Sequence, residues 1–184
     1  LGDDCVGVVT RSVAVTEVIS EREVKILQRR AYNPNLSILT LTDVITISKL
    51  PPPISFLYRR DLLERVGLYD PILPVLGDWD FLLRVVSKYQ IGVIEEPLAN
   101  YHLRPSISMG AYGNTILAKK SEHKTWQPYI VDKHLKQDLA EGKQGLGQLL
   151  LLSRDLRSID YDLYSVRRLS RLLQWTRDRL EGLY

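Results

Sequence analysis

The sequence predicts an α/β fold in two parts: a mixed sheet with flanking helices over residues 1–110, then an all-helical extension over 111–184. Three observations lead there. Val6 to Ile19 is dense in β-branched residues with partial alternation, which favours extended backbone. Strand and helix signals then alternate as far as Leu103. From Asn114 onward strand signals vanish and helical ones take over.

The elements follow in order. Val6–Ile19 reads as one long strand or two in sequence, and the charged stretch Glu21–Arg30 as a second strand after a turn. Asn33-Pro34-Asn35 is a turn. Thr40 or Thr42 caps a short helix through Asp43, Val44, Ile45 and Ile47. Pro51-Pro52-Pro53 stops that helix and forces an extended segment. Ile54–Tyr58 reads as a buried strand and Arg60–Val66 as a short helix ended by Gly67. After a loop punctuated by Pro71 and Pro74, Asp78 is placed as the N-cap of a helix. Phe81, Leu82, Val85 and Val86 line one face of that helix. Ile91–Ile94 and Leu98–Leu103 read as two strands. In the extension, Ile116–Leu139 reads as helix with a break near Pro128. Gly142, Gly145 and Gly147 mark a turn region. Leu149–Leu156 and Tyr164–Leu180 read as two further helices.

The 45% hydrophobic and 26% charged content excludes a disordered or fibrous chain. A lone cysteine, Cys5, permits no internal disulfide, so nothing demands an oxidising compartment. No secretory leader and no apolar run of about 18 residues is present. The chain opens without Met in a polar patch and reads as a piece of a longer protein. Charge divides unevenly: residues 1–110 carry 12 Lys/Arg against 13 Asp/Glu, and residues 111–184 carry 13 against 9. The basic surplus of the extension suits a solvated helical face or an anionic partner. It lacks the aromatic platform or motif of a nucleic-acid binder.

The stretch Ile54–Ser108 contains ISFLYRRDLLERVGLYD, then PVLGDWDFLLRVV, then IGVIEEPLANYHLRPSIS. In this order the three segments resemble the second half of the catalytic domain of family 2 glycosyltransferases, which have the GT-A fold. The matching residues are Arg60, Gly67, Asp70, Asp78, Trp79, Asp80, Leu83, Arg84, Tyr101 and Ser106. The resemblance implies a partial GT-A-like sheet, the acceptor-side half, in residues 1–110. It implies a longer parent enzyme that moves a sugar from a nucleotide-sugar donor to an acceptor hydroxyl. The helical extension resembles regions appended to bacterial enzymes that build surface polysaccharide, which implies a cytoplasmic protein, peripheral to the inner membrane face.

The resemblance places Asp78 where the family's catalytic carboxylate sits. A carboxylate at a helix start is well held for general-base work by free N–H groups and the helix dipole. The competing reading is a plain helix cap. Gly77 stands where the family usually has an acid. Asp80, in the first turn, supports the helix start or pairs with an Arg, or contacts substrate. Trp79 walls an acceptor-sugar site or packs in the core. Arg59 and Arg60 neutralise a diphosphate or anionic acceptor, or form a helix-start ion pair with Asp61 or Glu64. His102 and Arg104 lie in the loop that closes over the donor phosphates in relatives, and the alternative is a structural role. Ser106 is a further candidate for a phosphate. His123 and His134 read as surface residues.

Asp78-Trp79-Asp80 spells the D-x-D of a metal site, but opens an amphipathic helix rather than ending a buried strand, so it is set aside. So is Asp3-Asp4, which has no strand before it. A divalent metal, Mg or Mn, is expected in the longer parent only, and the isolated piece is expected to be inactive. The leucines of the extension, with Arg167, Arg168, Arg171, Arg177, Arg179 and Trp175, form a packing face, a homodimer contact or a membrane-surface contact. The alternative to an enzyme is a non-catalytic binding module that reuses half of the fold.

Overall fold

A computed structural model of the chain describes residues 5–20, 23–104 and 120–156. Among these, β1 (Gly7–Ile19) is the strand to which all others pair. Along one edge β3 (Phe56–Tyr58) runs antiparallel to Gly7–Val9, and β2 (Val24–Tyr32) runs antiparallel to Ser12–Ile19. The other edge takes β4 (Gly92–Leu103), parallel from Val8 to Thr16. A parallel partner needs a crossover, and the helices between β3 and β4 supply it.

Each short helix has an identifiable start or stop. Helix α1 (Leu41–Ile45) opens with a reciprocal cap. The Thr40 hydroxyl accepts from the Asp43 N–H at 3.1 Å, and the Asp43 carboxylate accepts from the Thr40 N–H at 3.0 Å. Helix α2 (Leu62–Val66) ends at Gly67, whose φ of 84° favours glycine. Helix α3 (Gly77–Val86) carries the buried row Trp79, Phe81, Leu82, Leu83 and Val85. Helix α4 (Lys120–Ala140) turns at residues 141–145 into a helical segment, 146–156. Gly147 lets the two helices meet. A Cβ built there would lie 2.5 Å from the carbonyl carbon of His134. Asp138 of α4 accepts from the N–H groups of Gly147 (2.8 Å) and Gln148 (3.2 Å), satisfying the free donors at the start of the second helix.

The core spans both parts of the chain. Ile130, Val131 and Leu150 of the extension lie in one apolar cluster with Val9, Leu36, Val44, Leu62, Trp79 and Phe81.

The structure departs from the sequence reading in five places. Ile54–Tyr58 is a 3-10 turn (Pro53–Ser55) followed by a three-residue strand, and Ile54 and Leu57 are exposed. Gly92–Leu103 is one strand, not two. Pro97, which has no N–H to donate, is absorbed by register shifts around Arg11, opposite it. Pro128 sits inside α4 without ending it, while Ile130 and Val131 just beyond are buried. His134 is buried rather than on the surface, because its ring faces a buried carboxylate. Asp78 is not the N-cap of α3. Leu76 is, with left-handed φ of 64°, and Asp78 falls in the first turn. The expected helix Tyr164–Leu180 with its arginines, Ser106 and Asp3-Asp4 lie outside the described residues.

Candidate functional site

The site is built on the first turn of α3. Val75 is buried and Leu76 is packed against the core in a left-handed conformation. That conformation is costly for a residue with a Cβ and persists only where packing enforces it. The Asp80 N–H donates to the Leu76 carbonyl at 3.0 Å, the first turn of the helix. Asp78 and Asp80 therefore lie among the unsatisfied N–H groups, at the positive end of the helix dipole.

Asp78 is half-buried. Its Oδ1 accepts the Trp79 N–H at 2.9 Å, and it forms no ion pair with the described residues. Two tyrosines feel its charge. Burial raises the pKa of Tyr32, at the end of β2, and the Asp78 charge adds to the rise. Tyr69 is raised by burial, then by a hydrogen bond with Tyr58 and by the charges of Tyr58 and Asp78. Tyr32 meets Tyr101 edge to face at 5.6 Å, which ties the end of β2 to β4. Tyr69 stacks on Phe81 with centroids 4.4 Å apart.

Asp80 is completely buried. Its oxygens accept from Arg84 Nε (3.1 Å) and Lys133 Nζ (3.0 and 3.1 Å), and Oδ1 lies 3.0 Å from His134 Nε2. Burial pushes its pKa up. The hydrogen bonds from His134 and Lys133, with the charges of Lys133 and Arg84, outweigh that and hold it at about 2. Lys133 also reaches Asp70 at 2.9 Å. Arg84 continues the chain of contacts by donating to the carbonyls of Val66, Gly67 and Leu68, at the end of α2. Asp80 thus joins α3 to α4, and Arg84 joins α3 to α2.

Trp79 is fully buried, and its indole N–H donates to the Val44 carbonyl at 2.8 Å. Of its two readings, the structure places it in the core. Arg59 pairs with Asp61 at 3.0 Å, and Arg65 joins from one turn on at 2.8 Å. Arg60 is exposed and forms no ion pair with the described residues.

His102 and Arg104 come together at the end of β4 through a residue the sequence reading did not single out. Glu17 of β1 is buried. Its oxygens take His102 Nδ1 at 2.8 Å and Arg104 Nε at 2.7 Å. Burial raises the Glu17 pKa, but these two partners overcome it and the net shift is downward. A lone acid on the buried phase of an apolar strand was the available signal.

Among the described residues no three His, Cys, Asp or Glu side chains converge to hold a metal ion. Asp80 is already committed to Arg84, Lys133 and His134, which leaves Asp78-Trp79-Asp80 poorly suited to ligate one. A cavity of about 150 Å³ opens beside Arg84, Lys88, His134 and Gln137, and its lining does not include Asp78. Chemically the arrangement offers one available carboxylate at a helix start with tyrosines nearby, and separately His102 and Arg104 gathered on Glu17. No protein-family model, curated protein or solved structure matches this chain.

Proposed function

We propose that this chain is the acceptor-side part of a family 2, GT-A-type glycosyltransferase, with Asp78 as its general base. The observation that carries the reading is the state of Asp78. It is a half-buried carboxylate, without a cationic partner among the described residues, held in the first turn of a helix. The ordered motifs from Ile54 to Ser108 supply the reaction class.

In the reaction, an acceptor hydroxyl attacks the anomeric carbon of a nucleotide-sugar. The new bond forms between that oxygen and the anomeric carbon. The bond from the anomeric carbon to the diphosphate oxygen breaks, and the nucleoside diphosphate leaves with those electrons. Asp78 takes the hydroxyl proton. One displacement of this kind inverts the anomeric centre. Arg60, exposed after β3, is a cation suited to diphosphate or an anionic acceptor, and His102 and Arg104, held by Glu17, are placed to add hydrogen-bond donors. The donor-binding half, with any Mg or Mn, belongs to the longer parent, as does a role in bacterial surface-glycan synthesis at the inner membrane face. No described helix is long and apolar enough to cross a membrane.

The test is sugar transfer by the longer parent, comparing wild type with Asp78→Asn. The amide keeps the shape and loses the basicity, so turnover should fall about 10²- to 10⁴-fold. Near-normal turnover in the variant removes Asp78 from the base role.

A further inference from the structure

A base must meet its acceptor in a fixed pose, and the tryptophan beside it offers no face for that. Trp79 is fully buried and its N–H is spent on Val44. Tyr69 has the opposite character. It is 42% exposed, yet its ring is fixed. One face stacks on Phe81, with centroids 4.4 Å apart and planes 17° from parallel. Its hydroxyl lies in the surroundings of Tyr58. Tyr58 in turn packs on Phe81 at 5.3 Å and on Phe56 at 5.0 Å. Tyr69 is the outermost ring of an aromatic stack that closes the core below it.

The neighbour of that ring is Gly77, the residue immediately before Asp78. A Cβ at Gly77 would sit 3.9 Å from Tyr69 Cδ1, in ordinary contact, and Gly77 lacks the positive φ that would make a side chain strained. Neither crowding nor backbone conformation therefore demands glycine here. What glycine does is leave the flank of the ring bare, one residue from the carboxylate. The electrostatic reach of Asp78 to Tyr69 agrees with that proximity.

We propose that Tyr69 is the stacking platform for the pyranose ring of the acceptor, with Gly77 left bare to admit it. The proposal rests on the reading of Asp78 as the base. The π face of an aromatic carries negative potential and suits the apolar, weakly positive C–H face of a sugar. A ring already stacked on Phe81 loses little freedom on binding. A sugar seated there has its hydroxyls at the edge of the stack, within the surroundings of Asp78.

The full 184-residue chain is titrated with methyl α- and β-pyranosides of glucose, galactose, mannose and N-acetylglucosamine. Tyr69 ring protons are followed by NMR. At least one glycoside should shift the Tyr69 signals and bind about tenfold more weakly to Tyr69→Ala. Tyr69→Phe keeps the stack and should bind within about twofold of wild type. Gly77→Leu sets an isobutyl group against the ring and should weaken binding as Tyr69→Ala does. The proposal is overturned if no glycoside perturbs Tyr69, or if Tyr69→Ala binds as wild type does. The two readings fail separately. Glycoside binding at Tyr69 with normal Asp78→Asn turnover sinks the base and leaves the platform. Lost Asp78→Asn turnover with no sugar at Tyr69 sinks the platform and leaves the base.

Discussion

Asp80 is buried among Arg84, Lys133 and His134. Asp78, two residues earlier on the same helix, is only half-buried and holds one backbone N–H. Two residues along a helix is a turn of about 200°, so the side chains leave from nearly opposite faces. One face is closed by α4, and the other carries the tyrosines. The difference teaches that D-x-D spacing on a helix separates two acids, whereas a shared metal needs them to converge. It also separates tasks: Asp80 fixes the helix, and Asp78 remains available.

The largest test of that division is Asp80→Ala. It leaves His134 buried and Lys133 partly buried without their carboxylate, and loss of about 3 kcal/mol in urea unfolding is expected. A loss under about 1 kcal/mol would mean that the contacts to α4 contribute little. The second effect is acid sensitivity. The folded pKa of Asp80, about 2, lies below its ordinary 3.8. Its contribution is therefore complete above pH 4 and is lost as pH falls towards 2. The shift corresponds to about 2 kcal/mol. Wild type should show this acid limb, and Asp80→Ala should have a shallower one. The smallest effect belongs to Asp78→Ala, which removes no ion pair with a described residue and should change unfolding by no more than about 0.5 kcal/mol. A cost comparable to that of Asp80→Ala would make Asp78 a structural residue and erase the contrast.

How much of this the sequence discloses depends on how far apart the partners are in the chain. β1 is legible because β-branched residues are dense there, and the cap of α1 because Thr40 and Asp43 are three residues apart. Gly67 is legible because a left-handed stop favours glycine. Asp78 is found in the first turn of its helix because the apolar row from Phe81 sets the helix phase. The cap itself is missed, since a left-handed Leu76 is enforced by packing and has no local signature. Asp80 finds Lys133 and His134 more than fifty residues away, so nothing near either histidine distinguishes buried His134 from half-exposed His123. β4 is split by Pro97 in the sequence because the shifts that accommodate Pro97 occur in its pairing with β1. Tyr69 is passed over for Trp79 because exposure, not residue type, decides which aromatic can receive a sugar.

Strand β2 pairs with β1 along one edge, and most of its length is exposed to water. Val24, Ile26 and Leu27 would make such an open edge adhesive, yet Lys25 lies among them and Arg29 and Arg30 follow. Leu27 falls at the register break opposite Thr16 and Glu17, where the ladder twists away from a flat template. Two molecules meeting edge to edge would bring cation against cation along a distorted seam. The basic residues of β2 would thus oppose templated aggregation along a strand that the described residues leave exposed from Val24 to Ala31.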